Sequence, residues 1–146
     1  MGQSDSRLYF EDADFSIILE KENYIAGETI RGSVTLRLRA PYRSDKLELE
    51  FAGKEIAYFD PYDSNRESGM GEIKSMHIII KTHILLYAFP DAIALPGVYT
   101  YPFSIDLPTD IPSSFLYCGM RRSLLRIRYR MKVGMLDLTN KYKPIY

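Results

Sequence analysis

Apolar residues recur at every second position over long stretches of this chain, and that period excludes most of what its 146 residues can become. In TIRGSVTLRLR, Ile30, Gly32, Val34, Leu36 and Leu38 point one way and Arg31, Ser33, Thr35, Arg37 and Arg39 the other. A period of two is that of a strand with one buried face. DKLELEFAGKEI repeats it, with Leu47, Leu49 and Phe51 inward and Lys46, Glu48 and Glu50 outward. In SLLRIRYRMKVGML, Leu125, Ile127, Tyr129, Met131 and Val133 oppose Arg126, Arg128, Arg130 and Lys132. With FSIILE, IKSMHIIIKTHILLY and GVYTYPFSIDL, the pattern predicts about six or seven strands and no helix.

Strands of this number, divided by turn signals, predict an all-β, immunoglobulin-like β-sandwich of about seven antiparallel strands. Twelve Tyr, seven Phe and no Trp agree, because aromatic rings sit well on a pleated, half-buried surface. A chain of this length buries roughly two thirds of its unfolded surface and is expected to form one domain. The turn YIAGE carries Gly27 where a positive φ is needed, and Pro41 interrupts the alternation before DKLELEF. FDPYDSNRESGMGE, Phe59 to Glu72, is too polar and too long for a hairpin turn and reads as a mobile surface loop. Four of the eight prolines fall in LPGVYTYPFSIDLPTDIPSSF, from Leu95 to Phe115. Pro102 lies inside an alternating run and cannot donate to a ladder, so it marks an edge strand or a strand switch. Pro108 and Pro112 bracket a stiff connection that carries the chain across to its last strand.

Composition removes several function classes. Nineteen Lys and Arg balance nineteen Asp and Glu, so no net field draws the whole molecule to nucleic acid or a membrane. The single cysteine, Cys118, leaves no disulfide framework or multi-cysteine metal site, which fits a reducing, cytoplasmic setting. The start of the chain has no signal-peptide core, and the most apolar run, HIIIKTHILLYAF, is broken by Lys81 and His83 short of a membrane span.

Catalytic chemistry has little to hold. His77 and His83, six residues apart in one alternating run, fall on the same side of it, and with Cys118 they offer a nucleophile and a base. The plainer reading is that the histidines line a polar strand face and that Cys118 is a small buried or loop residue, so no enzyme is expected, with no metal site and no cofactor. The basic ladder Arg126, Arg128, Arg130 and Lys132, with nearby Arg121 and Arg122, supports two readings. Arginine forks suit a phosphopeptide or an anionic lipid surface, whereas Glu48 and Glu50 facing the ladder across the sheet would make it a salt ladder. MGQSDS fits the acceptor pattern for N-myristoylation at Gly2. One such chain gives marginal, reversible membrane binding, so the basic ladder would have to supply a second contact.

Several motifs together resemble one family. LPGVYTYPFSIDLPTDIPSSF followed by LRIRYRMKVGM is similar to the amino-terminal lobe of arrestins, with its Y/F-P-F strand, L-P and P-S-S-F loop, and closing I-x-Y-x-x-x-V strand. FSIILEKENYIAGETIRGSVTLRL resembles that lobe's first strand pair, and LELEFAGKE its next strand. The likeness runs in order from about Phe15 to Val133 and is nearest to the α-arrestin trafficking adaptors. It implies a domain over residues 15–146 after a flexible segment at 1–14, with the second arrestin lobe absent from this chain. It also implies a non-catalytic adaptor in membrane-protein trafficking, endocytosis or signalling, cytoplasmic or peripheral on plasma membrane or endosomes. Expected partners are receptor or transporter tails and trafficking or ubiquitin machinery. The alternative is a constitutive subunit of an endosomal sorting coat, as in the retromer subunit of arrestin fold. Two features depart from the family: SRLYFEDADF has no adjacent lysines, and APYR and DPYD each carry one proline where ligase-recruiting motifs carry two.

Overall fold

The computed structural model describes residues 8–9, 13–59, 73–119, 123–136 and 142–144. Eleven strands are present among them: β1 (Leu8–Tyr9), β2 (Ala13–Leu19), β3 (Thr29–Leu38), β4 (Tyr42–Arg43), β5 (Lys46–Phe59), β6 (Ile73–Ala88), β7 (Ile93–Ala94), β8 (Gly97–Asp106), β9 (Phe115–Cys118), β10 (Leu124–Leu136) and β11 (Tyr142–Pro144). A single 3₁₀ turn, Pro90–Ala92, is the only helical element among the described residues, and none of their helices is long and apolar enough to cross a membrane.

Sheet I has the order β1-β2-β3-β8. Sheet II has the order β11-β10-β5-β6, with β9 pairing the other end of β10 on the β11 side, and β4 pairs β7 apart from both. Every pairing is antiparallel. The two sheets face each other across one apolar core, to which sheet I gives Phe15, Ile30, Val34, Leu36, Phe103 and Ile105 and sheet II gives Leu47, Leu49, Phe51, Val133 and Met135. These are the inward positions of the alternation, and Val34, Leu36, Leu47 and Leu49 are fully buried. Burial of each such side chain contributes about 1.5–3 kcal/mol.

The proline stretch is the corner of the sandwich. β8 closes sheet I as an edge strand, and Pro102 sits in it opposite Ser33, where a missing N–H is tolerated. After Asp106 the chain leaves sheet I and enters sheet II at β9. The corner is held by backbone hydrogen bonds from Gly27 N–H to Pro108 O and from Leu107 N–H to Glu28 O. Gly27 has φ +89, as the YIAGE turn requires, and Glu28 closes that turn by accepting the Ile25 N–H at 3.0 Å. A second lock lies in sheet II, where Tyr129 packs its ring over Gly53 directly opposite and donates its hydroxyl to Pro112 O. Ser44, the only buried polar residue among the described ones, donates to Leu136 O at 2.9 Å and ties the start of β5 to the end of β10.

Sheet II outruns sheet I. β5, β6 and β10 have 14, 16 and 13 residues, against 10 each for β3 and β8. The core covers only their Leu47, Leu49, Val133 and Met135 end; from Lys54 to Phe59 and from Leu124 to Arg128 no residue is buried.

Candidate functional site

Register decides which side chains share the outer face of sheet II. Arg126, Arg128, Arg130 and Lys132 on β10 stand opposite Ile56, Lys54, Ala52 and Glu50 on β5, and these in turn oppose Met76, Ile78, Lys81 and His83 on β6. Lys46 and Lys74 fall on the same face at its two ends. The acids of this face are Glu48 and Glu50 alone among the described residues, so a chain without net charge carries a segregated cationic surface here.

The expected salt ladder between β5 and β10 forms only in part. Lys132 stands beside Glu50, but the remaining partners of the two acids lie on β5 itself and on β6. Glu48 binds Lys46 at 3.0 Å and His83 Nδ1 at 2.7 Å, and Glu50 binds Lys81 at 3.4 Å. Burial raises the Glu48 carboxyl, while the hydrogen bonds and charges of Lys46 and His83 lower it by more, leaving it below the ordinary glutamate value. At the other end Arg128 faces Lys54, a like-charge cross-strand pair, and Arg126 Nε is buried with no hydrogen-bond partner among the described residues. Arg128 and Arg130 are exposed, Arg126 and Lys132 half-buried. The remaining residues expected here, Arg121 and Arg122, lie outside the described residues, as do Gly2 and all of the expected Phe59–Glu72 loop except Phe59, which ends β5.

The histidines do not share a face. β6 carries an extra residue against β5, because Gly53 opposes Ile80 while Lys54 opposes Ile78, and this bulge reverses the parity of the alternation. His83 therefore lies on the outer face opposite Glu50, and His77 on the inner side opposite Glu55. Cys118 is exposed on β9, neither buried nor in a loop, and β10 and β5 separate it from β6. Three strand spacings are about 14 Å, too far for a thiol to reach either imidazole.

A second surface is one the alternation did not identify. β6 ends sheet II, so the outward half of its backbone N–H and C=O groups has no strand partner among the described residues. Its 16 residues include Lys74, His77, Lys81 and His83 and no acid. Sequence signals for an edge, a proline or a short strand, mark β8 and β9 but not β6. Tyr87 on β6 packs its ring, tilted by 30°, against Tyr101 of β8 with centroids 5.4 Å apart, bridging the two sheets beneath this edge. An open groove at the same side is lined by Leu19, Gly32, Phe103 and Ile84.

Comparison with known proteins agrees with this architecture. The family model described as Arrestin (or S-antigen), N-terminal domain, matches residues 14–144. No curated protein matches the chain. Among solved structures, the crystal structure of Spo0M, a sporulation control protein from Bacillus subtilis, superposes with a TM-score of 0.58 at 16% identity. The alignment covers 94% of this chain and 49% of Spo0M, so the chain spans about half the length of that protein, and at this identity the likeness is one of fold.

Proposed function

Because this chain belongs to the arrestin N-terminal domain family, we propose that it is a non-catalytic adaptor that takes up an extended segment of a membrane-protein tail along the open edge of β6. The family is one of adaptors rather than enzymes, and the trafficking, endocytic or signalling role and the cytoplasmic setting at plasma membrane or endosomes are part of this proposal. The observation that carries it is the 16-residue edge strand itself. A partner strand added there gains backbone hydrogen bonds without demanding particular side chains, which suits varied cargo. The other long edge, β8, is interrupted by Pro102. Because β6 carries cations and no acids, the segment it favours is acidic and alternating.

The test is binding of a peptide of alternating valine and glutamate to the wild type and to two proline variants, Lys81→Pro and Thr82→Pro. In an antiparallel edge strand, N–H groups point alternately into the sheet and out of it. One variant therefore removes a ladder hydrogen bond and destabilises the fold, and its neighbour removes only an outward donor. The variant that keeps wild-type stability is expected to lose the peptide; full binding by both would refute edge addition.

The coat-subunit reading is favoured by a different observation. Phe115 and Tyr117 share one side of β9, opposite Ile127 and Leu125, and are exposed by 49% and 57%, an aromatic pair of the kind a permanent partner covers. Stable co-purification of a partner, lost on Tyr117→Glu, would support it over switched cargo binding.

A further inference from the structure

We propose that the outer face of sheet II is a docking surface for an anionic phospholipid membrane. It lies at right angles to the hydrogen-bonding edge of β6, so the two readings stand or fall separately.

The first ground is charge segregation. Arg126, Arg128 and Arg130 of β10, with Lys54 of β5, occupy the half of the face that holds no acid among the described residues, in a chain whose total charge is zero. The second is that the fold tolerates a cost there. Arg128 directly opposite Lys54 is a destabilising arrangement in the free protein. An anionic layer over the face offsets it. The third is the shape of the surface. Alternate residues on one strand are about 7 Å apart, so Arg126 to Arg130 spans about 13 Å. The forks stand in a row instead of converging on a point, which matches several headgroups in a plane better than one phosphate.

The fourth ground selects lipid over other polyanions. On the same face Met76 and Ile78 are 58% and 48% exposed, in the rows of Arg126 and Arg128. Leu116 on β9, opposite Arg126, is 63% exposed. Aliphatic side chains ringed by cations are the chemistry of an interfacial membrane contact, in which the apolar groups enter the headgroup boundary and the cations remain among the phosphates. A phosphopeptide leaves those aliphatic groups in water.

The experiment is flotation of the unacylated 146-residue chain with vesicles of phosphatidylcholine alone and of phosphatidylcholine with phosphatidylserine, at low and high salt. Wild type is expected to bind the mixed vesicles, to be released by salt and to ignore the neutral ones. The double variant Arg128→Glu/Arg130→Glu should lower the partition coefficient about tenfold or more. Lys54→Glu, which reverses one charge in the same row, should lower it about fivefold or more, and Met76→Ser/Ile78→Ser should weaken binding without changing its salt dependence. Equal binding to neutral vesicles would overturn the proposal, as would wild-type binding by a folded charge-reversal variant. So would displacement by inorganic phosphate at constant ionic strength, since that behaviour marks a discrete anion site.

Discussion

At the scale of single residues, the contact between Gly53 and Tyr129 holds the proline corner to the sheet. A Cβ on Gly53 would meet the Tyr129 ring at 2.4 Å, so Gly53→Ala forces the ring away and with it the hydroxyl that holds Pro112 O. Overpacking of this kind costs about 1–3 kcal/mol, and Tyr129→Phe, which keeps the ring and drops the hydrogen bond, about 1 kcal/mol. Urea unfolding of the two variants should rank them in that order. Ala92 shows the opposite case. It holds φ 56 at the 3₁₀ turn, a left-handed conformation that disfavours any residue with a Cβ. Ala92→Gly is expected to leave stability unchanged or raise it by up to about 1 kcal/mol, against the usual cost of glycine, as a melting curve would show. Alkaline stability follows from the tyrosines. Burial raises Tyr129, and burial together with neighbouring Tyr87 and Tyr99 raises Tyr101. Both favour the fold fully below the unfolded value of about 10 and lose that contribution as pH rises through their higher folded values. Tyr129→Phe should soften the fall in melting temperature above pH 10.

At the scale of elements, the register of β5 with its two neighbours sets the charge pattern. Arg128→Glu places an acid opposite Lys54 and replaces a repulsive pair with an attractive one, a gain of about 0.2–1 kcal/mol that should raise the melting temperature while removing a cation. On the other side, Glu48 is held below its ordinary value by Lys46 and His83, so its contribution is present at neutral pH and lost as pH falls through the folded value. Glu48→Gln should flatten the acid limb of the stability curve. The alternation in KLELEF and RIRYRMKV was enough to assign Leu47, Leu49, Phe51 and Val133 to the core, because side-chain direction in a strand depends only on parity. It could not pair the strands. The acids of β5 meet mostly β6 and their own strand, and the histidines part company because one extra residue in β6 reverses parity after Gly53. A bulge is a property of two strands together, and nothing in IKSMHIIIKTH alone marks it.

At the scale of the whole molecule, the order of turns, prolines and strands made the sandwich legible, and the motifs resembling the arrestin lobe its family, with which the family model matching residues 14–144 agrees. The open edge was not legible, because β6 is as long and apolar as a central strand and its place at the end of sheet II follows from topology. Cargo uptake depends on that edge, and the most direct measurement of it is amide hydrogen exchange along the chain, free and with the valine–glutamate peptide. Alternate amides of β6 are expected to exchange quickly in the free protein and become protected on binding, while those of β8 and β3 do not change. Protection confined to β8, or β6 amides already slow throughout in the free monomer, would contradict uptake at that edge.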